Sequence, residues 1–154
     1  MTTKAFPFPA VQSVCLWALL TACVFAVSVV FGEAVHIPCG EGSWFTPCIE
    51  MTDAALATAE ATYLGMRWCA VAQAAAAAVA LLLPARRRRS RRALAYAALA
   101  GAAAGHYMYA SLTGLLLDTD PGYLFLRISG ATATLVFAAG DLVCLLALLL
   151  GEDD

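Results

Sequence analysis

Pro84-Ala85-Arg86-Arg87-Arg88-Arg89-Ser90-Arg91-Arg92 decides how the rest of this chain is read. The stretch holds six of the nine Lys and Arg residues, and long apolar runs lie on both sides of it. In a soluble protein such a run is a solvated face or a nucleic-acid patch. Between two apolar segments of membrane-crossing length it is a short cytoplasmic loop. Lys and Arg resist translocation and meet anionic lipid on that side. The six side chains, Arg86, Arg87, Arg88, Arg89, Arg91 and Arg92, therefore set topology and can touch lipid headgroups. Binding of nucleic acid is not expected.

Composition points the same way. Of 154 residues, 62% are hydrophobic and 13% charged, and the mean hydropathy is +0.80. Soluble domains carry about 25% charged residues, so this chain has too little polar surface to coat a sphere in water. The net charge of −2 hides a concentration of positive charge in one loop. The sequence contains no Asn, so it has no acceptor for N-linked glycans.

Outward from the arginines, four segments read as spans: about 11–31, 66–84, 93–115 and 128–150. Each approaches the ~20 apolar residues that a bilayer crossing needs. A secretory signal peptide is the competing reading of the first, but its positive flank is Lys4 alone. The second span belongs to a helix that starts near Ala54 and ends at Pro84. The cytoplasmic loop is 85–92, and the exoplasmic loops are 32–60 and 116–127. The first exoplasmic loop carries Glu33, Glu41, Glu50 and Asp53 and, before the second helix, no Lys or Arg. That asymmetry against the arginine loop puts both termini in the cytoplasm, in a plasma membrane or an endomembrane. The expected fold is an all-α membrane protein, a four-transmembrane-helix bundle. A small β-hairpin sits in the first exoplasmic loop, its two β-prone runs flanking Gly40-Glu41-Gly42-Ser43.

Cys39 and Cys48 share that loop, on the side where oxidation is permitted, so they can form a bridge that pins the hairpin or remain free thiols. Cys15, Cys23, Cys69 and Cys144 fall within spans and read as small hydrophobes. No Cys-x-x-Cys pair, metal-ligand spacing or nucleophile–base set is present, so neither cofactor nor catalysis is expected.

Asp141 is the one acid well inside a span. Counted from the cytoplasmic ends it lies about 14 Å deep, Gln73 about 16 Å and His106 about 20 Å. Those depths let the three meet as an intramembrane polar cluster. A carboxylate in hydrocarbon must face the bundle and find a partner. The cluster is then an interhelical clasp or, alternatively, the proton or ion site of a small transporter. Gly101 and Gly105 form a small-xxx-small motif that admits another helix at close range, inside this chain or from a partner.

The layout resembles the superfamily of claudins, peripheral myelin proteins and epithelial membrane proteins. Gly42-Ser43-Trp44 with Cys48 resembles that family's Gly-Leu-Trp…Cys loop signature. Tyr107-Met108-Tyr109-Ala110-Ser111, followed by Gly122-Tyr123, resembles the end of its third span and the start of its fourth. The family places both cysteines after the tryptophan, whereas Cys39 precedes Trp44 here. MARVEL-domain proteins share the four-span layout. The resemblance implies a left-handed bundle with a small extracellular sheet and contacts with other membrane proteins or copies of itself: adhesion, scaffolding or an accessory subunit. Trp44 and Phe45 are the expected contact residues.

Overall fold

The computed structural model describes residues 10–34, 53–119 and 124–151. Among them the chain is all helical: α1 (Ala10–Ala34), α2 (Asp53–Leu82), α3 (Arg88–Thr119) and α4 (Leu124–Leu150). Cys39, Cys48, Trp44, Phe45 and the expected hairpin lie outside the described residues. Among the described cysteines, Cys15, Cys23, Cys69 and Cys144 are free thiols.

The ends of α2 and the start of α3 have local causes. Asp53 opens α2 and places a negative charge in its first turn, where the helix dipole favours it. Pro84 cannot continue α2, so the chain leaves the helix through Leu83, whose N–H donates to Val79 at 3.0 Å. The turn that follows is shorter than the expected loop 85–92. The Arg87 N–H donates to the Pro84 carbonyl at 2.9 Å and the Arg91 N–H to the Arg87 carbonyl at 3.0 Å. The second half of the arginine run is thus already wound into α3, which begins at Arg88 rather than near Ala93. Arginine is a good helix former, and no Gly or Pro interrupts the stretch. At the other end α3 runs on to Thr119 and α4 resumes at Leu124, so residues 116–119 and 124–127 are helical although a loop is expected there.

The helices pack with α1 and α3 on one diagonal. Each of these touches all the others, while α2 and α4 do not meet among the described residues. The core is built from small side chains in two apolar clusters. One joins Val14, Ala18, Ala77, Ala80, Ala98 and Leu148 near the arginine end. The other joins Ala22, Phe25, Met66, Ala70 and Leu112 toward the opposite end. Between them lies a polar layer, with Thr21, Gln73 and His106 all buried.

The outside is the reverse. Leu16, Leu20, Leu64, Val71, Leu142 and Leu149 point outward, and Trp68 is 67%, Leu135 71% and Leu82 84% exposed. Two helical segments are long and apolar enough to cross a membrane: Ala57–Leu82, with mean hydropathy 1.4, and Ala131–Leu150, at 2.4. The apolar described part of α1, Ala10–Ala26, is shorter, and four of the first five residues of α3 are arginines.

Candidate functional site

The polar layer is the one place where chemistry-bearing side chains converge among the described residues. His106 comes from the middle of α3 and Asp141 from the middle of α4. His106 Nδ1 and Asp141 Oδ2 lie 2.5 Å apart. With the proton on Nδ1, the imidazole donates to the carboxylate. The Trp17 indole N–H, from α1, donates to the other oxygen, Oδ1, at 2.9 Å. One carboxylate thus ties three helices together, with a donor on each oxygen.

Rings wall the pair. His106 stacks on Phe137 with centroids 4.3 Å apart and planes 2° from parallel. Phe25 approaches at 5.2 Å and Trp17 at 6.1 Å. Tyr109 closes edge-on against Phe137 at 5.7 Å. His106 Nε2 is buried, with no hydrogen-bond partner among the described residues.

Two glycines make room for the rings. A Cβ on Gly140 would stand 2.2 Å from Trp17 Cζ2, and one on Gly105 would stand 2.8 Å from Phe25 Cε2. Neither gap exists between real atoms, so each aromatic ring lies directly on helical backbone. Gly101 faces Gln73, whose Cβ would be 3.1 Å from an added methyl. The Gly101/Gly105 face therefore receives α2 and α1 of the same chain.

Gln73 does not join the carboxylate. Its Nε2 donates to the Ala18 carbonyl at 3.0 Å and to Thr21 Oγ1 at 3.1 Å, both on α1. The expected three-residue cluster is therefore two clasps: Gln73 on α1, and His106 with Trp17 on Asp141. The cause is arrangement around the axis. Gln73 and Asp141 lie at similar depth, but α2 and α4 sit on opposite sides of the α1–α3 diagonal. Trp17 takes the place expected of Gln73. Its signal in the sequence is a ring N–H at matching depth, in a residue that reads as bulk hydrophobe or interface anchor.

The arginines divide into two groups. Arg86, Arg87, Arg88 and Arg89 are exposed, while Arg91 and Arg92 are partly buried. Arg91 Nε donates to the Ala80 carbonyl at 3.1 Å and Arg92 Nη2 to the Leu148 carbonyl at 2.5 Å. Those carbonyls belong to the last turns of α2 and α4, where no further helical N–H follows. The preceding acceptors, Val79 and Ala147, are taken by the N–H groups of Leu83 and Gly151. Two guanidinium groups thus cap two helix ends, on the side where the dipole favours positive charge.

As chemistry, a His–Asp pair suits general-base catalysis only if the second ring nitrogen reaches a nucleophile. Nothing among the described residues hydrogen-bonds to His106 Nε2. No group of three or more His, Cys, Asp or Glu among the described residues could hold a metal ion. No protein-family model, curated protein or solved structure matches the chain.

Proposed function

We propose that the chain is a four-span integral membrane protein that acts by contact with other membrane proteins or with copies of itself. In this reading α1 to α4 all cross the bilayer, and both termini and the arginine turn are cytoplasmic. A Cys39–Cys48 bridge pins an exoplasmic hairpin that carries Trp44 and Phe45, in the manner of the claudin-like layout. Support for the bilayer comes from the distribution of side chains. Large aliphatic groups face out, and Thr21, Gln73, His106 and Asp141 face in, which suits hydrocarbon and opposes water. At 25 and 32 residues, α1 and α3 have the length to cross.

The observation that carries the contact reading is the outer face of α2. Leu64, Trp68, Val71, Ala75, Ala78 and Leu82 are all exposed. They recur at alternating steps of four and three, the seam of a helix that receives knobs from a neighbour. The alanines allow close approach and Trp68 supplies a large contact area. The polar clasps support a packing role over a conducting one, since both Asp141 oxygens are engaged by side chains of the same chain.

Extraction into polymer-bounded native discs, followed by mass measurement of the intact particle, tests the proposal. The expected particle holds a second copy or a membrane partner, and Ala75→Trp releases it. A bare monomer in the wild type, or a particle indifferent to Ala75→Trp, refutes contact through this face.

A second reading, a small proton- or ion-handling protein using Asp141, His106 and Gln73, draws on the buried Nε2 of His106, which has no partner among the described residues. Proton flux into vesicles carrying the purified protein, abolished by Asp141→Asn with the fold intact, would establish it in place of the clasp.

A further inference from the structure

A groove of about 440 Å³ runs between α3 and α4 on the outer surface. Tyr96, Leu99, Ala100 and Ala103 form one wall, Leu142 and Leu145 the other, and Asp141 closes its inner end. Apart from Tyr96 and Asp141 the lining is wholly apolar. The groove is continuous with the arginine turn: Arg89, Arg92, Tyr96, Ala100 and Ala103 follow at steps of three and four, so they share one face of α3. From Arg92 to Ala103 the helix rises about 16 Å, close to one leaflet, half of the roughly 30 Å hydrocarbon core.

We propose that this groove binds one anionic phospholipid. The phosphate meets the exposed Arg89 and its neighbours in the turn. One acyl chain lies along Tyr96, Ala100 and Ala103 and ends near Asp141. The inference rests on the four-span reading, which puts the arginine turn at the headgroups and the groove in hydrocarbon. Charge complementarity picks the occupant. Arginine matches phosphate oxygens with paired N–H donors, six of seven consecutive positions are arginine, and no acid stands among residues 84–99. A zwitterionic lipid would fill the groove equally well but adds no net charge for the turn. A free phosphate would satisfy the arginines but leave the groove empty.

The test uses the full chain, stripped of lipid in detergent and reconstituted into nanodiscs of phosphatidylcholine with a minor fraction of phosphatidylglycerol. Native mass spectrometry after release from the disc counts the lipids retained. One phosphatidylglycerol per chain, kept in preference to phosphatidylcholine, is the expected result. Arg89→Gln weakens retention about fivefold, the effect of one basic residue at an anionic surface. Ala100→Trp fills the groove and removes the lipid with every arginine in place. Leu145→Trp does the same from the opposite wall, so a folding defect in one variant leaves the other to decide. Equal retention of both lipids overturns the proposal. So does loss with Arg89→Gln but with neither tryptophan variant, which reduces the site to adsorption on a basic turn. Competition by glycerol phosphate as effective as by phosphatidylglycerol also overturns it, by showing a free-phosphate site. A chain that fails to enter nanodiscs sinks the four-span reading and the lipid site with it; one that enters and keeps no phosphatidylglycerol sinks the lipid site alone.

Discussion

Gly140→Ala adds one methyl group where α1 rests on α4, and the structure says what that methyl meets. It would stand 2.2, 2.5 and 2.7 Å from three atoms of the Trp17 ring. The ring cannot move outward and keep its 2.9 Å bond to Asp141. Overfilling a well-packed contact costs about 1–3 kcal/mol, and an interhelical hydrogen bond in a membrane protein contributes about 0.6–1.7 kcal/mol. Alanine returns about 1 kcal/mol as the better helix former. The net expectation is a loss of about 2 kcal/mol, the balance of those three effects. In a Trp17→Ala background the clash and the bond are both gone. There the same substitution should stabilise by about 0.5–1 kcal/mol through helix propensity alone. The assay is a double-mutant cycle, with unfolding in mixed micelles followed by far-ultraviolet circular dichroism, a signal that does not need the tryptophan. The coupling should reach about 2–3 kcal/mol, the upper range for residues in direct contact. If Gly140→Ala costs the same with and without Trp17, the ring does not sit on that glycine and the three-helix clasp is wrong.

Gly105→Leu should lower stability by about 2–3 kcal/mol through overpacking against Phe25 and Cys69. Gly114→Leu, where an added Cβ meets nothing within 4 Å, should be near neutral; unfolding midpoints that fall equally would deny the close approach at Gly105. Arg91→Gln removes a cap from α2, worth about 0.3–1 kcal/mol. Amide exchange at Leu82 and Leu83 should quicken severalfold while Arg86→Gln leaves it unchanged, and equal rates in both variants would contradict the capping role. With Cys39 and Cys48 changed to serine, Ser90→Cys should react with a membrane-impermeant maleimide only after cells are opened; labelling of intact cells reverses the orientation.

How far the structure could be read in advance depends on what each feature asks of the chain. Pro84 and the apolar runs around it mark helix ends that any backbone must respect, so α2 was readable nearly to the residue. Counting rise along a helix brings His106 and Asp141 to one level, and they do meet. The same count cannot say which helices are neighbours, and so it also draws Gln73 toward a carboxylate on a helix that α2 does not touch among the described residues. Trp17 and Gly140 escape because each is unremarkable alone: a lone glycine in a greasy helix and a ring in an apolar run gain meaning only once set face to face. The capping arginines escape because a backbone carbonyl has no letter in the sequence. The loop carrying Cys39 and Trp44, on which the claudin-like likeness leans, lies outside the described residues.

The guanidinium groups of Arg91 and Arg92 hold the final turns of α2 and α4, so in the proposed four-span topology the charges that would choose a side of the bilayer also complete the tertiary structure. Replacing either arginine would then remove an orientation signal and at the same time leave a bare carbonyl on the neighbouring helix end.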